Sequence, residues 1–309
     1  MTDYIVQYFI FPGFLFTAAA GLIASWIDRK VTARIQWRVG PPLLQPLYDL
    51  VKLMGKETIV PKSGSKMTFL IAPLAGLATI TLVSMLIWRV LIWPSQSFVG
   101  DLIVVFYLMA IPSITLIISG AASANPLASL GASREMKLIL AYELPFILAI
   151  LVPVIQAGGQ IGLGEILIWQ WNNGTVVGSW SGIIAFIVAI LCMQAKLGLV
   201  PFDIAEAETE IVSGPFIEYT GTPLAVHKLT RLMMLFVIPM FLVTIFMGGI
   251  IFSGWHILWG ILKYVLLLVI IILIRNTNPR VRIDQAIWFF WGPMTILAIL
   301  AVVLAMLGL

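Results

Sequence analysis

The chain is 309 residues long, 61% hydrophobic and only 10% charged, with a mean hydropathy of +1.07. Soluble domains hold roughly 45–50% apolar residues, so the composition excludes a water-soluble fold and predicts an all-α integral membrane protein, one domain over residues 1–309. The net charge of +4 follows from where the basic residues fall and requires no nucleic-acid partner. Cys192 is the single cysteine, which excludes an internal disulfide and a cysteine-ligated iron–sulfur cluster built by this chain alone.

A hydrocarbon core of about 30 Å takes roughly 20 apolar residues per helix. Runs of that size predict a bundle of eight transmembrane helices, at about 4–27, 67–93, 99–121, 136–157, 180–202, 231–252, 255–275 and 286–308. The first reads as a retained span, because Asp3 stands at its start without Lys or Arg and the run is too long for a signal peptide. The first connection carries Arg29, Lys30, Arg34, Arg38, Lys52, Lys56, Lys62 and Lys66. Within it Leu47, Leu50, Val51 and Met54 recur at helical spacing, with Asp49, Lys52 and Lys56 on other faces. This pattern predicts an amphipathic helix lying on the membrane surface, against a partner, or over the opening of a membrane pocket.

Further along, Arg134 and Lys137 flank the third-to-fourth connection, Lys196, Lys228 and Arg231 the fifth-to-sixth, and Arg275, Arg280 and Arg282 the seventh-to-eighth. All but Arg89 and Lys263 of the 18 basic residues thus sit on alternate connections. The positive-inside rule makes that face cytoplasmic and puts both termini outside, in a multi-pass protein of the cell membrane. Trp169 and Trp171, in the outer connection from about 158 to 179, fit an interfacial aromatic belt.

Asp203, Glu206, Glu208, Glu210 and Glu218 are five of the chain's 14 acidic residues, gathered between two apolar runs. If helical, the segment places Asp203, Glu206 and Glu210 on one face. Carboxylates that close repel one another and pass protons in steps, unless the segment is only a solvated loop paired with the basic first connection. Glu143 lies inside the fourth span, two residues before Pro145; a proline kink there would free backbone carbonyls beside the acid, and an ionisable group within a span points to function. Lys263 lies inside the seventh span, either snorkelling outward or facing a carboxylate. His227 and His256 stand alone with no metal-ligand spacing, Arg89 sits between Trp88 and Trp93 as an interfacial anchor, and no catalytic or phosphate-binding motif is present.

Several motifs recur in order: Trp26-Ile27-Asp28-Arg29-Lys30-Val31, Arg38-Val39-Gly40-Pro41-Pro42, Gln45-Pro46-Leu47-Tyr48-Asp49-Leu50-Val51-Lys52, Leu130-Gly131-Ala132-Ser133-Arg134-Glu135, Ala141-Tyr142-Glu143, Pro201-Phe202-Asp203-Ile204-Ala205-Glu206 and Asn278-Pro279-Arg280-Val281-Arg282-Ile283-Asp284-Gln285. Their order resembles the eight-helix membrane subunit that joins the two arms of respiratory complex I. It resembles still more closely the equivalent subunit of membrane-bound, energy-converting nickel–iron hydrogenases. The likeness covers about residues 25 to 290.

The resemblance implies a non-catalytic membrane anchor that couples ferredoxin-driven electron transfer to proton or sodium movement. It implies hydrogenase-type large and small iron–sulfur subunits on the cytoplasmic face and antiporter-like subunits in the membrane. The nickel–iron centre and iron–sulfur clusters belong to those partners, and this chain binds neither metal nor cofactor. Glu143, Asp203, Glu206, Glu208, Glu210 and Glu218 would open the ion path, with Lys263 also on it; Arg29, Arg34, Arg38 and Arg134 would form the docking face. The stretch Thr220-Gly221-Thr222-Pro223-Leu224-Ala225-Val226-His227-Lys228-Leu229 departs from quinone-reducing versions, which carry another acid and more aromatic residues there, so no quinone site is expected. The junction subunit of a quinone-reducing complex I, or of a sulfur-reducing relative, is the alternative.

Overall fold

The computed structural model describes residues 2–309, and among them there is helix and connection but no strand. Helices α1 (Thr2–Phe9) and α2 (Phe14–Ile35) form the first crossing, parted at Pro12 and Gly13. Next come the short α3 (Gln45–Met54) and the long α4 (Lys66–Ile92). The third crossing is split into α5 (Asp101–Leu108) and α6 (Ile111–Ala122), because Pro112 has no N–H to continue the ladder. Then follow α7 (Pro126–Gln156), α8 (Leu163–Asn173), α9 (Trp180–Lys196) and the single turn α10 (Glu208–Ile211). The chain closes with α11 (Gly221–Met247), α12 (His256–Thr277), α13 (Ile283–Phe289) and α14 (Thr295–Met306). Between the last two, Phe290–Met294 is a π-turn at Pro293, and the Thr295 hydroxyl satisfies the Phe290 carbonyl at 2.7 Å.

Seven helical stretches are long and apolar enough to cross a membrane, and the shorter apolar α9 accompanies them. The eight expected crossings are therefore present, with shifted ends. Helix α9 has 17 residues, about 25 Å of helix, because Leu197-Gly198-Leu199-Val200-Pro201 stops it; Gly198 is left-handed and the Val200–Pro201 peptide is cis. Helices α7 and α11 both begin about ten residues before the predicted spans. Asn125 caps α7 by accepting from the Leu127 amide at 2.9 Å, with Pro126 at the first helical position, where a missing N–H is harmless. Helix α7 also runs unbroken through Pro145, where a kink was expected.

Helix α11 forms the centre of the bundle, packed on α2, α3, α4, α9 and α12, while α12 and the last crossing leave most of their apolar surface open. Five ion pairs tie the first, third, fifth and seventh connections together at one end. At the other end Tyr4 lies under Arg89, and the Leu309 carbonyl accepts from the Ser181 hydroxyl at 2.6 Å, which puts both chain ends there. The connection from about 158 to 179 contains α8, whose Gln170 donates to the Thr244 and Ile245 carbonyls and whose Trp171 donates to that of Gly248. Those bonds satisfy orphan carbonyls at the end of α11. Trp171 is thus a structural donor.

Candidate ion-path site

The amphipathic helix α3 has two apolar rows and not one. Pro46, Leu50 and Leu53 are buried against the bundle, whereas Leu47, Val51 and Met54 are exposed. The expected stripe thus mixed a row facing the protein, which holds Leu50, with one left open to lipid or a partner. Arg29 of α2 holds α3 in place through Asp49 at 2.6 Å, and Gln45 donates to the same carboxylate at 3.0 Å. The Arg29 guanidinium, helped by Gln45, holds the Asp49 carboxyl below the usual carboxylate range.

The acidic segment is not one helix. Residues 197–207 run as turns, Glu208–Ile211 forms a single α-turn and Gly214–Phe216 a short 3-10 turn. Its course is fixed from both sides: Gln194 donates to the Val200 carbonyl at 2.7 Å, and the Val281 amide donates to that of Pro201 at 3.0 Å. Val212, Ser213 and Gly214 are all left-handed and reverse the chain. A Cβ on Gly214 would stand 2.0 Å from the Ala205 carbonyl oxygen, and one on Gly131 of α7 would stand 2.6 Å from the Pro215 ring. The sharp reversal and the close approach to α7 both need glycine.

The three acids expected on one face are instead separated, each with its own cation. Asp203 pairs with Arg280 at 2.7 Å, Glu206 with Arg231 at 2.6 Å, and Glu210 with Arg134 at 2.5 Å. Glu218 accepts from the Asn125 amide at 2.6 Å, and Glu208 is exposed. Arg134 stands on α7, Arg231 on α11 and Arg280 in the connection after α12, so the segment is stapled across the bundle end. Beyond it, Tyr219 stacks on Phe69 with ring centroids 3.9 Å apart and donates to the Phe69 carbonyl at 3.1 Å. Burial pushes the Tyr219 phenol up to about 12, so it stays a donor at neutral pH.

Behind α3 lies a cavity of about 840 Å³, between α2, α11 and the acidic segment. Asp28, Asp49, Asp203, Glu206 and Glu208 line it, together with Arg29, Lys52, Lys56, Lys228, Arg231, Arg275 and Arg280. A smaller cavity of about 40 Å³ continues inward from Asp203, Glu206 and Arg231 to Glu135, Lys196 and His227. His227 faces the Ser119 hydroxyl at 3.1 Å between the rings of Phe216 and Tyr219. Among the described residues no group of His, Cys, Asp and Glu has the geometry of a metal site.

Glu143 is half-buried on α7, two turns beyond the fully buried Glu135. Lys263 is not gathered with the acids. It lies toward the other end of the bundle and donates to the carbonyl of Met247, the last residue of α11, at 2.6 Å. Of the four arginines expected to dock partners, Arg29 and Arg134 are engaged within the chain. Arg34 and Arg38 are exposed, flanking Trp37, whose side chain is 98% exposed.

Sequence reading missed two residues. Glu135 was one letter of a motif and Lys196 one of the basic flanks, yet both are buried in the bundle. The early start of α7 and the early stop of α9 bring them inside, and the helix-breaking run after Lys196 was the signal that could have found them.

The NADH dehydrogenase family matches residues 6–306 of the chain. The H-type subunit of NADH-quinone oxidoreductase from Thermomicrobium roseum is 34% identical over 328 residues, spanning 96% of this chain and 94% of that protein. Its counterpart from Dehalococcoides mccartyi is 31% identical over 304 residues, spanning 94% and 84%. Among solved structures, a chain of the membrane-bound sulfane sulfur reductase, an archaeal respiratory membrane complex, superposes with a TM-score of 0.84 at 28% identity, covering 99% of this chain and all of that one.

Proposed function

Because the chain belongs to the NADH dehydrogenase family, as a membrane component of a complex I-related assembly, we propose that it anchors the electron-transferring subunits and couples their turnover to ion movement. The carrying observation is a file of carboxylates. Asp203 and Glu206 line both cavities, Glu135 lies at the inner one, and Glu143 stands deeper on the same helix. Ionised groups that far inside an apolar bundle are costly, and proteins keep them where charge moves. The paired arginines give Asp203 and Glu206 two defined states each, and a shift of a docked loop or water that breaks a pair changes the proton affinity of its acid.

In this reading the end bearing the ion pairs faces the cytoplasm of a cell-membrane protein, and Trp37 with Arg34 and Arg38 anchors an iron–sulfur partner. The peripheral arm is of the hydrogenase type, fed by a ferredoxin-like donor. The charged lining of the large cavity supports this over a quinone site, since an apolar quinone tail gains little among so many ionic side chains. A sulfur-reducing arm is the second reading, favoured by the closeness of the sulfane sulfur reductase chain.

The test is to purify the complex from native membranes, analyse its metals and reconstitute it in vesicles. Nickel with iron and hydrogen evolution from a low-potential donor support the hydrogenase arm; iron without nickel and polysulfide reduction favour the second reading. Glu143→Gln should abolish donor-driven ion uptake in an assembled complex. Unchanged uptake by that variant would refute the coupling role.

A further inference from the structure

Lys196 is the last residue of α9, yet its side chain turns into the bundle and away from the charged end. It is 2% exposed, and its ammonium nitrogen has no hydrogen-bond partner. Three rings surround that nitrogen, with Phe106, Tyr142 and Phe146 at 5.4, 5.5 and 5.6 Å. Ring faces attract a cation but accept no conventional hydrogen bond, so the cage holds the ammonium without satisfying its N–H groups. Cation and free amine are both accommodated there, and neither is locked.

Glu143 follows Tyr142, one of the three caging residues, on α7, and Glu135 lies two turns before it on the same helix. Lys196 also borders the small inner cavity, alongside Glu135, Asp203, Glu206, His227 and Arg231. That cavity has room for about one water. Glu135 is thus an acid on the same cavity as the lysine and Glu143 an acid next to its cage and deeper in the bundle, and among the described residues no salt bridge holds the lysine. A purely structural cation at this depth would be expected to keep an acceptor.

We propose that Lys196 carries protons between the inner cavity and Glu143. The proposal rests on the coupling reading above and adds its mobile step. Through a water in the inner cavity, the O–H bond of a protonated Glu135 breaks as an N–H bond forms on the amine lone pair, leaving carboxylate and ammonium. The ammonium then gives a proton to the Glu143 carboxylate and returns to the neutral amine. No electron moves and charge is conserved at each step. Lysine suits the task because a buried amine gains and loses a proton readily, which a guanidinium does not.

The experiment uses the complete complex in vesicles and reads ions moved per electron for Lys196→Met, Lys196→Arg and Glu143→Gln. Methionine fills the cage without a proton site, and arginine keeps the charge and ring contacts without releasing a proton. Both Lys196 variants should lower the ratio by at least about tenfold, with the full set of subunits co-purifying. A normal ratio in Lys196→Met beside a collapsed one in Glu143→Gln overturns the proposal and leaves the coupling reading intact. Normal ratios in both overturn the two together. A normal ratio in Lys196→Arg with a collapsed one in Lys196→Met makes the lysine a fixed charge and overturns the proton step. Should the methionine variant fail to assemble, Lys196→Gln carries the same expectation.

Discussion

Gly131→Ala tests whether contact between the acidic segment and α7 holds the carboxylates in place. An added Cβ would stand 2.6 Å from Pro215 Cδ, 2.8 Å from the Ala205 carbonyl oxygen and 3.0 Å from Gly214 Cα. These are backbone and ring atoms with no flexible end to yield, so the segment must lift by about 1 Å to reach ordinary contact. Arg134 stands one turn further along α7, and its 2.5 Å bond to Glu210 would stretch beyond good hydrogen-bond length. Overpacking of this kind costs about 1–3 kcal/mol. Paid locally, that raises the opening of the segment roughly five- to a hundredfold. Hydrogen exchange of the intact complex should show faster amides over residues 203–218 by that factor, while the core of α11 is unchanged. Gly55→Ala is the control, since its Cβ would meet nothing nearer than 3.8 Å. Exchange in Gly131→Ala indistinguishable from that control would refute the reasoning.

Asp49 sets an acid limit on the seating of α3. Its carboxyl is held low by Arg29, so the pair contributes above the unfolded value near pH 4 and is lost as pH falls through the lower folded value. Cross-linking between cysteines placed on α2 and α3 should therefore decline only in acid, and Asp49→Asn should remove that pH dependence. Tyr219→Phe keeps the stack on Phe69 but strands its carbonyl, at a cost of about 1 kcal/mol; a lowered melting temperature of the complex checks this. Lys263→Met leaves the Met247 carbonyl uncapped and should destabilise the chain by about 1 kcal/mol, read as earlier thermal loss of α11 protection.

The eight crossings were legible because each apolar run exceeds what any soluble helix needs, and the gathering of basic connections followed from their alternation. Helix ends were less legible. Hydropathy stops counting at Arg134 and Arg231, whereas caps and prolines carry α7 and α11 on to Pro126 and Gly221. The acidic segment shows the same limit. Spacing suggested a helical face for Asp203, Glu206 and Glu210, but the glycine reversals and the pull of Arg280, Arg231 and Arg134 fixed a turn-rich course that local periodicity cannot express. The partners of those acids lie up to two crossings away, and Lys196 looked like a flanking cation because only tertiary packing decides which way a terminal side chain turns.

The π-turn in the last crossing joins outside to inside within four residues. Trp288 and Trp291 look outward, and Trp291 also donates to the Leu140 carbonyl of α7 at 3.3 Å. Phe290, between them, is fully buried and touches both Phe202 of the acidic segment and Tyr142 of the lysine cage. A neighbour packed on the two tryptophans would therefore lie one residue away from a ring that contacts both the acidic segment and the lysine cage. The outward-facing rings and two interior groups that lie far apart in the chain therefore meet on a single phenylalanine.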